Sequence, residues 1–504
     1  MPPKGEDGDD ETVCGIVGFT HSQGRPVDDR ITRATLSLVH RGPDQQGTYE
    51  SSVISLGAVR LKIIDLASGD QPFFSDDRDT IIAFNGEIYN FRELRTELEE
   101  RGHRFHTDCD TEVVLHAYLE WGRDCLARLR GMFGLAIWKE SEKRLLLARD
   151  RLGIKPLYYL RLGDELYFGS ELKAILACPE VARRIDPVGL HYYLSLNYVP
   201  AAYTLVEGIE KLRPGRWLEW RDGWVTSGVY WNLEFRPRSS WTMGAAKEEL
   251  DSLLTESVRE HLVSDVPLGV WSSGGLDSST ILHYAAQAAP GRMKTFSVSF
   301  QGRSFDESRY FREVAQRYGT DHHEFDLNPE IGLEDAIEEL VYYSDEPSAD
   351  AGALPVWYLS KMCREHVTVA LSGEGADEVF GGYVTYQADR LATYLRLIPA
   401  AARRAALGAL QLWPVGTRRS ASNTSSSGCW PARCSTPTTP TCSGTAPSAS
   451  GKNASSIPAA ATGRSIFSFN RPPAPAATRA RSTATSGSTS VSTCRPTSST
   501  SATA

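Results

Sequence analysis

Two segments of the chain carry residues whose types and spacing could do chemistry. The first starts at the thiol of Cys14, which the apolar run GIVGF follows. A thiol is the most nucleophilic of the common side chains, so this segment indicates nucleophilic catalysis such as amide hydrolysis, although the run alone would equally fit a buried strand. The second segment is SGGLDSS at residues 273–279, which indicates a loop that binds phosphate groups.

The SGGLDSS segment ends a predicted strand, Leu268–Trp271, and opens a predicted helix. Backbone N–H groups at a helix N-terminus bind anions, and the hydroxyl groups of Ser273 and Ser278 add donors. The charge of Asp277 repels phosphate, which favours a role in Mg²⁺ binding or in positioning the loop. The segment is not a Walker A loop, because the Gly-Lys-Ser/Thr ending is missing.

A third segment, LSGEGADEVFGGY at residues 371–383, combines four glycines with three acidic residues. It follows the predicted buried strand Val367–Leu371, and open α/β sheets bind ligands at the carboxyl ends of their strands. Small residues allow close approach of phosphate, and carboxylates bind metal ions. A plain helix end followed by a loop is the structural alternative.

Composition limits the classes of protein to consider. The 504 residues have room for two to four domains, and 41% of them are hydrophobic, as in an ordinary soluble protein. No run approaches the ~18–20 apolar residues of a membrane span, and the acidic first residues do not form a secretory signal. Nine cysteines without a CxxC pair favour the reducing cytoplasm, and the net charge of −9 does not suggest nucleic-acid binding.

The pattern of predicted elements changes near residue 240. From Cys14 to about Glu234, short strands separated by turns are interrupted by two helices, Asp29–Val39 and Phe91–Arg101, which predicts an α+β domain with antiparallel sheets. A polar bridge, Phe235–Met243, follows. From Ala245 onward strands and helices alternate, which predicts a parallel, doubly wound α/β sheet. The predicted strands and helices of this second domain are Gly269–Ser272, Thr295–Phe300, His322–Asp326 and Val367–Ser372, with Ala245–Leu262, Ser278–Ala288 and Phe311–Tyr318.

Beyond Arg419 the sequence loses apolar periodicity. The 85 residues from Ser420 to Ala504 contain 36 Ser or Thr and no Asp or Glu. A disordered, low-complexity tail is one interpretation. A slip of the reading frame is favoured, because the onset is abrupt and four of the nine cysteines fall in this segment. We predict no packed structure beyond about Pro414.

Further motifs follow Cys14 in order: HRGPD at 40–44, RLKIID at 60–65, NGEIYN at 85–90, DTEV at 110–113, GMFG at 131–134 and ARDRLGIKPLYY at 148–159. Together they resemble the class II glutamine amidotransferases of the N-terminal-nucleophile hydrolase superfamily over nearly all of residues 14–200. The resemblance implies an N-terminal-nucleophile sandwich fold and a glutaminase site.

The same resemblance implies roles for individual residues. Cys14 is the nucleophile, and Asn85 and Gly86, which we expect on a turn, donate to the tetrahedral oxyanion. Arg60 pairs with the carboxylate of glutamine, while Asp110 and Glu87 hold its ammonium group. In this family the cysteine is the first residue after the initiator Met, whereas thirteen residues precede it here. We expect the mature chain to start at Cys14, because Val13 is consistent with a GUG start codon, with propeptide cleavage as the alternative.

The SGGLDSS loop resembles the pyrophosphatase-type ATP loop of adenylating amidotransferases, and the whole arrangement resembles the glutamine-hydrolysing asparagine synthetase family. That family makes β-aspartyl-AMP from aspartate and ATP and converts it with ammonia from glutamine. The resemblance implies ATP and Mg²⁺ as cofactors, L-glutamine, L-aspartate and ATP as substrates, and a homodimer. It implies that Glu374 assists acyl-adenylate formation, that Asp277 and Asp377 bind Mg²⁺, and that Asp345, Glu346 and Asp350 line the acid pocket. The ATP-binding residues it implies are Ser273, Gly274, Gly275, Asp277, Ser278, Val298, Ser372 and Gly373.

The predicted organisation is an extension or misassigned start at 1–13, an amidotransferase domain at 14–234, an incomplete synthetase domain at 245–414 and a tail at 415–504. Members of the family carry further synthetase helices for which the tail offers no match. Three alternatives therefore stay open: an amidotransferase acting on another carboxylic acid in polysaccharide or antibiotic synthesis, a product with glutaminase activity only, and a non-enzymatic binder of glutamine or nucleotide.

Overall fold

A computed structural model describes residues 13–21, 29–237, 240–289, 291–300, 306–327, 333–350, 352–395 and 397–411. The predicted extension before residue 13 and the predicted tail at 415–504 lie outside these residues. Within them the chain forms two domains joined near residue 240. In neither domain is any described helix both long and apolar enough to cross a bilayer.

The first domain is built mostly of strands that pair with antiparallel neighbours. Its strands are β1 (Gly15–Thr20), β2 (Gln45–Glu50), β3 (Ile54–Arg60), β4 (Phe73–Phe74), β5 (Thr80–Ile88), β6 (Gly131–Lys139), β7 (Arg144–Arg149), β8 (Tyr158–Leu162), β9 (Glu165–Gly169), β10 (Ile209–Lys211), β11 (Arg216–Arg221) and β12 (Trp224–Val229). Its helices are α1 (Arg30–Leu36), α2 (Phe91–Glu100), α3 (Asp110–Trp121), α4 (Cys125–Arg128), α5 (Leu172–Leu176) and α6 (Pro187–Leu196).

These strands form two six-stranded sheets that pack face to face between two layers of helices. One sheet has the order β10-β8-β9-β1-β3-β2 and the other β12-β11-β7-β6-β5-β4. Because successive side chains of a strand point to opposite faces of its sheet, each central strand contributes residues to two cores, one on each face. In β1, Ile16 joins the core between the sheets, while Val17 and Phe19 pack against α1 and α5. In β6, Trp138 enters the same inter-sheet core, and Leu135 packs toward α2 and α3.

The second domain alternates strands with helices, and its four strands are parallel. The strands are β13 (Leu268–Trp271), β14 (Lys294–Ser299), β15 (Asp321–Asp326) and β16 (Val369–Leu371). The helices are α7 (Met243–His261), α8 (Leu276–Ala288), α9 (Ser308–Tyr318), α10 (Leu333–Ser344), α11 (Ala353–Arg364), α12 (Ala376–Phe380), α13 (Val384–Leu395) and α14 (Ala400–Gln411).

The strand order of this sheet, β15-β14-β13-β16, places a topological switch point between β13 and β16. The chain steps from β13 to β14 and β15 on one side and then returns to pair β16 with the other side of β13. Val270 and Leu371 pack with α7 and α8 on one face, and Trp271 and Phe296 pack with α11 on the other. Helices on both faces confirm the doubly wound class, and ligands of such sheets bind at the switch point.

The predicted elements are found with shifts of a few residues at their ends, but several helices escaped prediction. We expected two helices in the first domain, and the structure also contains α3, α4, α5 and α6. Helix α3 was missed because Val113, Val114 and Leu115 are all buried, so the helix has no polar face to give an amphipathic pattern. The α+β class of this domain is nevertheless confirmed.

The inter-sheet core should dominate the stability of the first domain. Leu147 is fully buried there beside Trp138, whereas Leu194 on α6 is 73% exposed. We expect Leu147→Ala to lower the free energy of unfolding by about 2–5 kcal/mol, because the substitution leaves a cavity. The exposed control Leu194→Ala should change it by less than about 0.5 kcal/mol. Urea denaturation followed by tryptophan fluorescence measures both, and equal effects would contradict this packing.

Candidate active site

Cys14 lies at the start of β1, where the strand pairs with β3 on one side and β9 on the other. Its thiol donates to the carbonyl oxygen of Leu61 at 3.6 Å, and its own carbonyl oxygen accepts from Arg41 Nε at 3.0 Å. Burial raises the pKa of the Cys14 thiol, while Lys155 and Arg60 act in the opposite direction. The free thiol is therefore largely protonated at neutral pH and needs a base to act as a nucleophile.

Asn85 and Gly86 lie within β5 and not on the predicted turn. The sequence NG suggested a turn, but β5 continues through it because Asn85 and Gly86 pair with Gly134 and Phe133 of β6. A Cβ on Gly86 would collide with the carbonyl oxygen of Met132, so the position requires glycine. The Asn85 side chain is fully buried, and its amide is linked to the start of β1 through the Ser170 hydroxyl.

Ser170 holds the Asn85 amide and was not identified from the sequence. The fully buried Ser170 hydroxyl accepts from Asn85 Nδ2 at 3.2 Å and from the Ile16 backbone N–H at 3.0 Å. Asn85 Oδ1 has no hydrogen-bond partner among the described residues. The Ser170 hydroxyl thus links the backbone of Ile16, two residues after Cys14, to the side chain of Asn85. Because these residues lie in distant segments of the chain, no local sequence pattern indicates the link.

Arg60, at the end of β3, is 3% exposed and is fixed by backbone carbonyl groups. Its guanidinium donates to the carbonyl oxygens of Ser68, Ile64 (2.9 Å) and Asp65 (3.1 Å). It also lies 3.6 Å from the Sγ atom of Cys109. An ion pair with Asp70, at 3.7 Å from Nη1, offsets the charge only in part because Asp70 is exposed to solvent. The guanidinium therefore remains suited to a carboxylate ligand.

Glu87 and Asp110 are buried together next to this cation. Asp110 accepts from the Ile88 N–H at 2.9 Å, whereas Glu87 Oε2 has no hydrogen-bond partner within the described part of the chain. Burial, reinforced by the charge of Asp110, raises the pKa of Glu87 to about 8, and burial also raises the pKa of Asp110. A buried carboxyl group without a partner indicates a place for a cationic group of a ligand.

Lys155 is a further charged residue of this site that the sequence motif contained but to which we gave no role. It is 4% exposed, and burial lowers its pKa to about 8, with the charge of Arg41 acting in the same direction. Cys14 and Glu87 counteract that shift, so the lysine lies within electrostatic reach of both. Arg60, Lys155, Glu87 and Asp110 thus form a buried cluster of two cations and two carboxyl groups, which is a set of charges suited to a zwitterionic ligand.

In the second domain, the SGGLDSS loop turns tightly between β13 and α8. Gly274 adopts a φ of +76°, and a Cβ there would collide with the backbone N of Phe311, so glycine is required. The Ser273 and Ser278 hydroxyl oxygens are 3.0 Å apart, and Ser273 Oγ accepts from the Gly275 N–H at 3.2 Å. The loop therefore presents small residues and hydroxyl groups at the N-terminus of a thirteen-residue helix.

The loop after β16 meets this helix N-terminus. A Cβ on Gly373 would lie 2.7 Å from the Ser278 backbone N, which shows how closely the two loops approach. Across this contact Asp277 and Asp377 face each other, and burial together with the charge of Asp377 raises the pKa of Asp277. Two adjacent carboxylates beside a glycine-rich loop at a helix N-terminus are residue types that could hold a divalent cation.

The other predicted nucleotide residues are arranged around these loops. Ser372 Oγ accepts from the Glu374 N–H at 3.4 Å, and the Glu374 side chain is exposed. Val298 lies on β14, beside β13, and is paired with Phe325 of β15. The structure thus brings Ser273, Gly274, Gly275, Asp277, Ser278, Ser372, Gly373 and Asp377 to one edge of the sheet, with Val298 on the neighbouring strand.

The structure does not support the expected acid pocket at residues 345–350. The carboxylate of Asp345 accepts from the backbone N–H groups of Leu172 and Lys173 in the first domain, the latter at 3.1 Å. Glu346 forms an ion pair with Lys211, and Asp350 accepts from the Gly352 N–H at 2.9 Å before α11. The sequence could not show that Asp345 and Glu346 contact the first domain.

The charge of Lys155 should favour the Cys14 thiolate. At pH 7.5 a lysine with a pKa of about 8 is mostly protonated, and its loss removes a cation that stabilises the anion. We expect Lys155→Met to slow alkylation of Cys14 by iodoacetamide about threefold to tenfold, as measured by peptide mass spectrometry. Lys143→Met, at a partly exposed lysine paired with Glu140, should leave the rate unchanged. Equal rates in all three proteins would contradict the electrostatic assignment.

Comparison with known protein families identifies both domains. A family described as "Glutamine amidotransferase domain" matches residues 13–231, and one described as "Asparagine synthase" matches residues 249–455. Among solved structures, the glutamine phosphoribosylpyrophosphate amidotransferase from Bacillus subtilis is similar, with 19% identity and a TM-score of 0.33 over 62% of this chain and 81% of that one.

Curated relatives cover both domains together. The chain is 38% identical to asparagine synthetase [glutamine-hydrolyzing] 1 of Bacillus subtilis over 81% of this chain and 64% of that protein. It is 34% identical to putative asparagine synthetase [glutamine-hydrolyzing] 2 of Methanocaldococcus jannaschii over 77% of this chain and 79% of that protein. The chain spans just under two thirds of the length of the Bacillus relative. These likenesses confirm the predicted family: the chain belongs to the glutamine-hydrolysing asparagine synthetases.

Proposed function

We propose that the chain makes L-asparagine from L-aspartate, ATP and L-glutamine. The observation that carries the proposal is the presence, in one chain, of a cysteine beside a buried cluster of two cations and two carboxyl groups, and of two glycine-rich loops at the switch point of a parallel sheet. The first arrangement suits hydrolysis of glutamine, and the second suits activation of a carboxylate by ATP. We place the enzyme in the cytoplasm, and we expect a homodimer, which light scattering would test.

In the first half-reaction, the Cys14 thiolate attacks the side-chain amide carbon of glutamine. We assign the Asn85 side-chain amide and the Gly86 N–H as donors to the oxyanion of the tetrahedral intermediate. Collapse of that intermediate breaks the C–N bond, releases ammonia and leaves a thioester, which water hydrolyses to glutamate. When Cys14 is the first residue of the mature chain, its α-amino group takes the thiol proton. Arg60 and Glu87 fix the two charged ends of the substrate.

In the second half-reaction, a carboxylate oxygen of aspartate attacks the α-phosphorus of ATP, and pyrophosphate leaves. Ser273, Ser278 and the backbone of the Gly274–Gly275 turn hold the pyrophosphate portion. Asp277 and Asp377 would hold Mg²⁺, which shields the phosphate charges when bound. Carboxylate oxygens are the ligands that Mg²⁺ prefers, so these two side chains would hold the ion beside the bound phosphates. Glu374 is assigned to the activated acid, and ammonia then displaces AMP.

The contact between the domains suits transfer of neutral ammonia. Ile63, Tyr89 and Met132 of the first domain pack with Val258 and Leu262 of the second domain in one apolar cluster. Tyr89 also stacks on His261 with ring centroids 3.8 Å apart. An apolar, water-poor boundary disfavours protonation of ammonia to ammonium during passage, which supports coupling of the two half-reactions.

Two alternatives stay open. The acids at residues 345–350 that we expected in the acid pocket contact the first domain or cap a helix, so they do not favour L-aspartate over another carboxylic acid. A protein with glutaminase activity alone is the other alternative that the sequence left open.

Reciprocal variants test the proposal. Cys14→Ala should abolish glutamate formation, by at least a hundredfold, and keep pyrophosphate release with aspartate, ATP and ammonium chloride, because only the nucleophile is lost. Asp277→Asn should lower pyrophosphate release at least tenfold with either nitrogen source and keep glutamine hydrolysis. Glutamate, pyrophosphate and asparagine are quantified in the same reactions.

The outcomes separate the candidates. Pyrophosphate release with another acid from a panel, and not with aspartate, would establish an amidotransferase of different specificity. Glutamate formation without pyrophosphate release from any acid would establish the glutaminase-only alternative. Absence of glutamate formation by the wild-type protein would refute the proposed function altogether.

The raised pKa of Glu87 predicts a pH-dependent affinity for glutamine. Below about pH 8 the free carboxyl group is protonated, so its charge is available to the substrate ammonium group only as the pH rises. In a Cys14→Ala background, the Kd for glutamine should fall between pH 6.5 and 8.5, by at most about tenfold per pH unit. Glu87→Gln should bind more weakly at pH 8.5 and show a flatter profile. Calorimetry provides the Kd values, and an unchanged slope would exclude Glu87 as the titrating group.

A further inference from the structure

A continuous set of charged side chains joins the backbone of Cys14 to the second domain. Arg41 Nε donates to the Cys14 carbonyl oxygen at 3.0 Å, and Arg41 Nη1 donates to Glu171 Oε1 at 2.6 Å. The other carboxylate oxygen of Glu171 accepts from Lys173 Nζ at 2.6 Å. Lys173 Nζ then donates to the backbone carbonyl oxygen of Tyr342 in α10 at 2.7 Å. Every link is a hydrogen bond that involves a charged group.

Glu171 is the centre of this set. It is 3% exposed and also lies 3.1 Å from His40 Nε2. Burial alone would raise its pKa, but Arg41, His40 and Lys173 outweigh burial and hold the pKa of Glu171 well below its usual range. A buried carboxylate with several partners is sensitive to their positions, because each one offsets its desolvation.

The second domain holds Lys173 by its backbone as well as by its side chain. The carboxylate of Asp345, which follows α10 directly, accepts from the N–H groups of Leu172 and Lys173 at the start of α5. The Lys173 ammonium lies 4.7 Å from the centre of the Tyr342 ring, and the Tyr343 ring contacts the His40 ring. From Asp345 the chain continues into α11, β16 and the nucleotide loop at Ser372–Gly375.

A second ion pair on the same turn offers a matched comparison. Lys211 pairs with Glu346, the residue after Asp345, and donates to the Val199 carbonyl oxygen at 2.7 Å. Lys211 also joins the two domains, but its partners are not those that reach Cys14. The two lysines thus differ in their connection to the glutaminase site and not in crossing the domain boundary.

We propose that Lys173 is an interdomain positioning residue. It fixes the Arg41–Glu171 pair, which lies next to Cys14, in its position relative to the synthetase domain. The inference rests on the proposed function, in which ammonia formed at Cys14 must reach the acyl-adenylate. Loss of the Lys173 ammonium group leaves Glu171 paired with Arg41 and His40, so glutamine hydrolysis persists. The hydrogen bond from Lys173 to the Tyr342 carbonyl oxygen is lost, so the glutaminase site is no longer held in a fixed position relative to the synthetase site. Ammonia then escapes to solvent.

Lys173→Met and Lys211→Met in the full chain test this inference. We expect Lys173→Met to keep glutamate formation, and to keep pyrophosphate release with ammonium chloride within about twofold. The yield of asparagine per glutamate should fall at least fivefold. Lys211→Met should leave that yield within twofold of the wild type, and Lys173→Arg should restore most of it, because the cation returns.

An unchanged yield in Lys173→Met, an equal fall in Lys211→Met, or failure of Lys173→Arg to restore the yield would overturn the inference. So would a parallel loss of all three activities in Lys173→Met that Lys173→Arg shares, since the effect would then be structural. Hydrogen exchange separates this inference from the proposed function when the wild type makes no asparagine. Faster exchange at residues 172–176 and 342–346 in Lys173→Met, but not in Lys211→Met, supports the positioning role, and equal exchange overturns it.

Discussion

The first domain depends on one constraint: its buried charged side chains are kept from water and must find other partners. Arg60, Glu87, Asp110, Lys155 and Glu171 are all nearly inaccessible to solvent, in a region walled by two sheets. A buried charge is tolerated only when a partner replaces water, and the partners differ in kind. Glu171 has its partners within the protein and so serves the structure. Within the described residues, Glu87 lacks a hydrogen-bond partner at one oxygen, so a cationic group of a ligand would supply the missing compensation.

In the second domain, the strand order of the sheet determines which loops and charged residues come together. A phosphate site needs many backbone N–H groups and little side-chain volume, and two strand ends at a switch point provide both. The close approach of Gly373 to Ser278 brings two glycine-rich loops into one surface, with Asp277 and Asp377 at their junction. Asp277 and Asp377 lie at the rim of a sheet and not inside a sandwich, so their carboxylates remain partly exposed and accessible to a ligand from solvent.

Sequence reasoning succeeded where the signal is local and failed where a distant partner decides. The strand before Ser273 and the helix after it were predictable, because apolar runs and glycines mark them. Asn85 was expected on a turn, since nothing in its own segment shows the pairing with Gly134 that keeps it in a strand. Ser170 gave no local signal, because its role depends on Asn85 and on β1. Asp345 looked like a substrate ligand for the same reason: its acceptor role becomes visible only when α5 of the other domain is placed beside it.

The cap on α5 has a consequence for the order in which the protein is made. The N–H of Lys173 bonds to Asp345, 172 residues later in the chain, and β16 pairs with β13 across about one hundred residues. Domains fold largely as units during synthesis, N-terminal first. On the ribosome the first domain therefore acquires its sheets early. The N-terminal N–H groups of α5, the helix that carries Lys173, find their acceptor only after residue 345 has been synthesised, when the second domain is also being made. The final geometry of the first domain thus depends on the second.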